Sequence, residues 1–466
     1  MSKGEMLVTV LVLASLGIVM LTGLVSWAGT NARVLRTATS RELSFHIAEA
    51  GIDYYRWHLA HAPTDYRDGT ATSGPYIHEF RNKEGDVIGH FSLTITPPTV
   101  GSTIVRVRST GSTLAEPTIS RTVEVLFAIP SFAKYAWVLN SFVNFGSTAN
   151  VYGPIHSNTG LRFDGVAYNL VTSATSTFDD PDHTGAKEFG VHTHSTPVDP
   201  LPPSAVPNRS DVFKAGRQFP VPAVDFTGIV SDLSLIKSAA QSAGRYFAAS
   251  GVLGYHIVLK TNDTFDLYKV NTMYSKNGCS CTGTGCGTLS IKSGGETFVA
   301  NYAFPTNGLI FVEDHVWING TIDGARLTIG AARFPDNPST RKNINVTNDI
   351  RYTRYDGSDV IGLIAQGDFN VGLVSEDDLR IDAAIIAQNG RIGRYSYSTG
   401  CSPNHARTLL TTYGMLGTNQ RSGFWYDPDG YATRNYIYDA NLLYAPPPSF
   451  PLTADQYVTI SWEEIE

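Results

Sequence analysis

Four cysteines, a group of histidines and two acidic runs are the residues whose types and spacing could do chemistry. Cys279, Cys281 and Cys286 stand as Cys-x-Cys-x4-Cys, with Cys401 far downstream. Zinc would need four converging thiolates or added histidines, and this spacing is not a standard zinc pattern. In an oxidising compartment two disulfides are the simpler account, one closing the glycine-rich loop and one tying it to Cys401, with the pairing left open. His183, His192 and His194 lie near Asp179, Asp180 and Asp182. On a strand His192 and His194 would share one face, a spacing that can hold a metal. Histidines in a polar loop are ordinarily solvated, however, so no metal ligand is assigned.

The carboxylates fare no better. Glu376, Asp377, Asp378 and Asp382 would suit an enzyme that cleaves polysaccharide, where one carboxyl protonates a glycosidic bond and another attacks it. Acids at strand corners more commonly make turns. The stretch from Asp427 to Gly430, with a second acid at Asp429, could serve calcium but is read as an ordinary turn. No nucleophile elbow, phosphate-binding loop or His-Glu-x-x-His motif occurs. No catalytic residue, cofactor or metal is assigned, and an enzyme is not expected.

The element that must position everything else is at the start of the chain. From Met6 to Ala32 there is no charged side chain. About 20 apolar residues rising 1.5 Å each cover a hydrocarbon core of roughly 30 Å, so this run can span a bilayer. A cleaved secretory signal would be followed by a fresh start, whereas here the helical pattern continues. Leu43, Ile47, Ala50, Tyr54 and Trp57 recur at steps of four and three, which predicts a packing stripe, and no proline occurs before Pro63. A helix over 5–60 would be on the order of 80 Å long, apolar first and amphipathic second.

A basic leader (Ser2-Lys3-Gly4), an apolar helix and the segment from Arg41 to Gly51, ending in Ala48-Glu49-Ala50-Gly51, resemble the N-terminus of type IV pilin-like proteins. Within them the segment is most similar to the PilX group of minor pilins and pseudopilins. The resemblance implies a leader over 1–4, a cut after Gly4 by prepilin peptidase and N-methylation of Glu5. It implies other pilin subunits as partners through the helix, and the inner membrane before assembly. Major pilins usually carry glutamate at the fifth mature position, which is Thr9 here. That departure points to a minor subunit.

The rest of the chain reads as β. Phe91–Thr96, Thr103–Ser109 and Thr118–Phe127 alternate apolar and polar residues and predict a small antiparallel head over 61–140. From 141 to 466 short strands are cut by glycine and asparagine, as in Leu309–Gly320, Ile361–Gly372 and Ala384–Gly393. These predict a β-solenoid-like domain, with a sandwich or jelly roll as the alternative. An insertion is expected over 166–300, with a proline-rich connector over 197–222, a helix over 228–249 and the cysteine loop. The proline-rich tail is expected to strap the solenoid end, followed by a last strand. Charged residues are 17% of the chain and the net charge is -7, which suits an extracytoplasmic β-protein and disfavours nucleic acid as a partner.

These features together predict a minor pilin-like subunit of a type IV pilus or related filament. Its large head would lie outside the cell, at the tip, for adhesion to a surface or host ligand or for assembly initiation. The alternatives are a membrane-anchored surface protein outside any filament and an anchored polysaccharide-processing enzyme.

Overall fold

A computed structural model describes residues 3–98, 102–226, 229–275, 278–443, 445–452 and 456–465. The chain is mostly β with one long N-terminal helix, and it divides into two units.

The first unit comprises 3–98, 104–128 and 456–465. Helix α1 runs unbroken over Lys3–His61. Strands β1 (Tyr76–Arg81), β2 (Val87–Thr96), β3 (Val105–Thr113) and β4 (Ser120–Ala128) form an antiparallel meander. A fifth strand, Val458–Ile465, pairs antiparallel with β4. The sheet's alternation works as read: in β3, Val105, Val107 and Ser109 are buried while Arg106 and Arg108 face outward and both bond Glu124.

The buried stripe of α1 overlaps the expected one at Ile47, with Leu43 and Tyr54 packed against its edge, but is centred elsewhere. Ser44, Ile47, Ala48, Gly51, Ile52, Tyr55 and Leu59 face the sheet; Leu43, Ala50 and Tyr54 are half-buried, and Trp57 is 59% exposed. The reason is close approach of backbone to backbone. A Cβ on Gly111 of β3 would lie 2.2 Å from the Ser44 carbonyl oxygen and 2.5 Å from the Ala48 nitrogen, and one on Gly89 of β2 would lie 2.5 Å from Ile47 Cδ1. Small residues therefore define the seam, and large apolar side chains flank it. Tyr55 donates to the Asp65 carbonyl at 2.9 Å, which satisfies its hydroxyl inside the core.

The second unit comprises 102–103 and the described residues of 129–455. Most of its strands stack in parallel ladders, where a sandwich or jelly roll would pair antiparallel; Thr264–Val270 pairs antiparallel with Gly254–Leu259 and Glu296–Ala303, and two short pairs are also antiparallel. In the longest ladder, Arg245–Phe247, Leu309–Val312, Arg326–Ala331, Val360–Ala365 and the end of Asp378–Ala387 follow one another in parallel register. The end of Ala406–Thr418 continues it, and then Trp137–Leu139, Ile155–Ser157, Val171–Ser173 and Arg217–Gln218. A second ladder holds Gly254–Leu259, Val316–Ile322, Ile344–Val346, Phe369–Val371 and Ile392–Arg394. A third includes Ile350–Tyr352, the starts of Asp378–Ala387 and Ala406–Thr418, Gly430–Tyr438 and Ala149–Tyr152.

The chain thus enters the stack partway along, at Trp137, and runs to one end near Gln218. It returns through helix α2 (Ile229–Ala243), restarts at Arg245 and works back until Leu416 pairs with Trp137. The middle strands of the longest ladder are apolar on both faces. Ile361, Leu363 and Ala365 enter the interior cluster; Val360 and Ile364 join an outer cluster with Leu233 and Ile236 of α2, Phe132 and Phe450.

Three boundaries differ from expectation. Residues 129–140 belong with the second unit and not with the small head. The 166–300 region is no separate insertion, because Val171–Ser173, Val191–His192, Arg217–Gln218 and the Arg245–Leu259 strands all join parallel ladders. Finally, 445–452 lies along the outer side of the longest ladder and not over an end. Arg326 donates to the Ala445 and Pro446 carbonyls at 2.8 and 2.7 Å, Thr328 donates to Pro448, and the strand that follows leaves for the first unit.

Candidate functional site

The largest chemically unmatched surface is the first half of α1. Every described side chain from Met6 to Thr39 is exposed, apart from the half-buried Gly17; Leu7 is 66% exposed and Val25 71%. The mean hydropathy of its most apolar 18 residues is 2.5, and this is a helix long and apolar enough to cross a membrane. The polar groups inside it are answered within the helix. Ser15 donates to the Val12 carbonyl at 2.9 Å, Thr22 to Ile18 at 2.5 Å and Thr30 to Ser26 at 2.9 Å. A hydroxyl that returns to its own helix brings no unpaired donor into an apolar surrounding. Arg33 and Arg36 follow as exposed cations. Gly4 is exposed in the first turn; Ser2 and the side chain of Glu5 lie outside the described residues.

The second half of α1 is spoken for by its own sheet, as described above. One helix therefore has two surfaces of different kind. Its second half packs one face on its own sheet, and the described side chains of its first half are exposed. The exposed Trp57, with its ring centroid 4.5 Å from that of His61, continues the uncovered side into the second half.

Cys279 pairs with Cys401 and Cys281 with Cys286, with Cα–Cα separations of 4.6 and 6.1 Å. The four pack with Leu373, Tyr395 and Tyr397. The Tyr395 hydroxyl donates to the Thr284 carbonyl at 3.0 Å and Tyr397 to Gly287 at 2.8 Å, so the loop is held by covalent and polar contacts together.

His192 and His194 are not solvated, whereas His183 is exposed. His192 is 1% exposed, and with His194 it meets two carboxylates, Asp180 and Glu188, whose ligand-capable atoms all lie within 4.8 Å of one another. His183 stands at the rim, with Nδ1 3.4 Å from Glu188 Oε1. Glu188 was not singled out from the sequence. The period-two run Glu188, Gly190, His192, His194 is the signal that would have found it.

The acidic run is dispersed among separate duties. Asp377 accepts from the Thr408 backbone and hydroxyl, Glu376 accepts from Asn348, and Asp382 accepts from Tyr355, from the Tyr352 backbone and from Arg380 at 2.8 Å. Asp429 is buried against Arg394 at 3.0 Å and accepts from the Tyr397 backbone, which fixes a turn.

A cleft of about 520 Å³ opens beside Trp137, Asn144, Arg421, Trp425, Tyr426 and Arg434. The Trp137 indole N–H, Asn144 Oδ1 and the Ser422 hydroxyl in its lining are buried atoms with no hydrogen-bond partner. An apolar floor with a donor, an acceptor and a hydroxyl left over is the composition of a ligand cleft.

No family model matches the chain, and no curated protein matches it. Among solved structures it is similar to the competence-associated pilin ComZ from Thermus thermophilus, at 12% identity and a TM-score of 0.32, over 92% of this chain and 98% of that one. A TM-score this low carries no argument about function.

Proposed function

We propose that this protein is a minor pilin-like subunit of a type IV pilus or related filament, of the PilX type, which displays its β-solenoid-like second unit outside the cell. The observation that carries the reading is the division of α1 into an uncovered apolar half and a half docked on an antiparallel sheet. An exposed apolar surface of this size needs lipid or other apolar helices around it. Before assembly the inner membrane would supply that cover, and in a filament the helices of other pilin subunits would. Each CH₂ removed from water contributes roughly 0.8 kcal/mol, which keeps this half in lipid or in a bundle and out of water, while the choice between the two rests on helix packing.

A head this large is hard to repeat along a thin fibre, so a tip or sparse position follows, with adhesion through a surface ligand. The cleft beside Trp137 and Trp425 is where such a ligand would enter. Prepilin peptidase would cut after Gly4 and leave N-methylated Glu5 as the first residue. Intact-mass and N-terminal peptide analysis of the chain from native cells tests this, and Gly4→Val should leave it uncleaved. A start at Met1 or Ser2 would reduce the protein to a membrane-anchored surface protein. Stoichiometry equal to the major subunit in purified filaments would sink the tip position.

A further inference from the structure

We infer that Asp180, Glu188, His192 and His194 form a binding site for one divalent transition-metal ion, with Zn²⁺ the ion best suited to two imidazole nitrogens and two carboxylate oxygens. The elements bring the four together as follows. Glu188–Phe189 pairs antiparallel with Thr177–Phe178, and Val191–His192 pairs parallel with Leu161–Arg162. Alternation along 188–194 turns Glu188, His192 and His194 to one side, and Asp180 closes the group from the loop opposite. Glu188 Oε1 lies 2.5 Å from His194 Nε2, Glu188 Oε2 lies 2.8 Å from His192 Nε2, and Asp180 Oδ2 lies 3.6 Å from the same nitrogen.

The decisive feature is what these atoms lack. Asp180 Oδ2, Glu188 Oε2 and His192 Nε2 are buried and form no hydrogen bond, although they face one another. The other ends of His192 and Asp180 are fixed from outside the group, while Glu188 Oε1 is hydrogen-bonded to His194 Nε2 within it. His192 Nδ1 lies 3.0 Å from the Phe189 carbonyl, which can only accept, so Nδ1 carries a proton and orients Nε2 inward. Asp180 Oδ1 accepts from the Asp182 backbone N–H at 2.9 Å, which leaves Oδ2 for the centre. A ligating histidine whose second nitrogen donates to a carbonyl is the usual support for a metal site.

The surrounding charge agrees. Arg162 is the nearest guanidinium, 3.9 Å from Asp180 Oδ2, but it is bonded to Asp164 at 2.7 Å. Asp164, Asp180 and Glu188 are thus opposed by one arginine. Calcium and magnesium prefer all-oxygen sets, whereas mixed imidazole and carboxylate sets suit zinc and its neighbours. Four protein ligands make a closed site, whose role is to pin the 180–194 loop and not to activate water.

The test uses the full-length protein in detergent, stripped with a chelator and then dialysed against ZnCl₂. The expected result is one zinc per chain after desalting, by elemental analysis, and a tetrahedral visible spectrum when Co²⁺ replaces it. His192→Ala and Glu188→Gln should each weaken zinc binding by about a hundredfold or more, and His183→Ala much less. Substoichiometric zinc in the wild-type protein, or a Co²⁺ spectrum of octahedral all-oxygen type, would overturn the assignment without reference to any variant. Unchanged binding in folded His192→Ala would do so as well.

Discussion

His315 shows how one side chain couples the second unit to pH. Its Nδ1 accepts the Asn343 backbone N–H at 3.1 Å, so that nitrogen must be unprotonated in the folded chain. Burial and the nearby Lys342 ammonium push its pKa down from 6.5 to about 4, with Asp314 opposing them in part. Between those two values the unfolded chain binds a proton that the folded chain does not, so stability falls as the pH drops through this window and levels off below it. At about 1.4 kcal/mol per pH unit the loss is at most about 3.5 kcal/mol. Denaturant titrations of the wild type from pH 7 to 4 should show this slope, and His315→Asn, which offers an acceptor and no proton, should flatten it. An equal slope in both proteins would remove His315 from the account. At this scale the sequence was partly legible. The cysteine spacing pointed to a loop closure and a long-range tie, but the histidines looked solvated because nothing local announces burial. Burial of His192 comes from the parallel pairing of its strand with Leu161–Arg162, and that pairing joins segments 30 residues apart.

At the scale of elements, α1 is seated on its sheet by glycine. A methyl group at Gly111 would overlap the Ser44 carbonyl and the Ala48 nitrogen, and both are backbone atoms that cannot swing aside. Gly111→Ala should therefore destabilise the first unit by roughly 1–3 kcal/mol, the range for overpacking a well-filled core, while Gly69→Ala, whose Cβ would meet nothing within 4 Å, costs only the strain of a positive φ. Urea unfolding followed by Tyr and Trp fluorescence would measure both, and a neutral Gly111→Ala would show that the helix can lift off without cost. This seam also explains the misplaced stripe. A hydrophobic-period reading weighs Leu43, Tyr54 and Trp57 most and Ser44, Ala48 and Gly51 least, yet contact distance is set by the small residues. The existence of the helix and of β2, β3 and β4 was legible because period and alternation are local. The fifth strand's partner was not, since Val458 meets Ala128 across a whole unit of chain.

For the whole molecule, the routing decides which parts depend on one another. Early strands complete the ladders begun by late ones, and the last strand completes the first sheet, so removing either chain end past its helix or strand would damage a distant partner. The first half of α1 is the exception. Apart from Gly17 its described residues are exposed, so its deletion subtracts little tertiary packing. A fragment of residues 32–466 should fold with the stability of the full chain within about 0.5 kcal/mol, the range for changes at exposed sites, and stay monomeric without detergent. Calorimetry and light scattering would check both, and a fragment that unfolds early would mean that the apolar half supports its own unit. If the fragment is stable, the free energy stored in that half is available only to a surrounding outside the chain. A lipid bilayer and a bundle of similar helices then compete for the same surface. The competition favours the bundle only when neighbours offer packing that lipid cannot, because lipid tails are already as apolar as the leucines they cover. Co-expression of the full chain with other pilin subunits, followed by detergent extraction, should shift it from the membrane fraction to the sheared filament fraction, whereas the 32–466 fragment should reach neither.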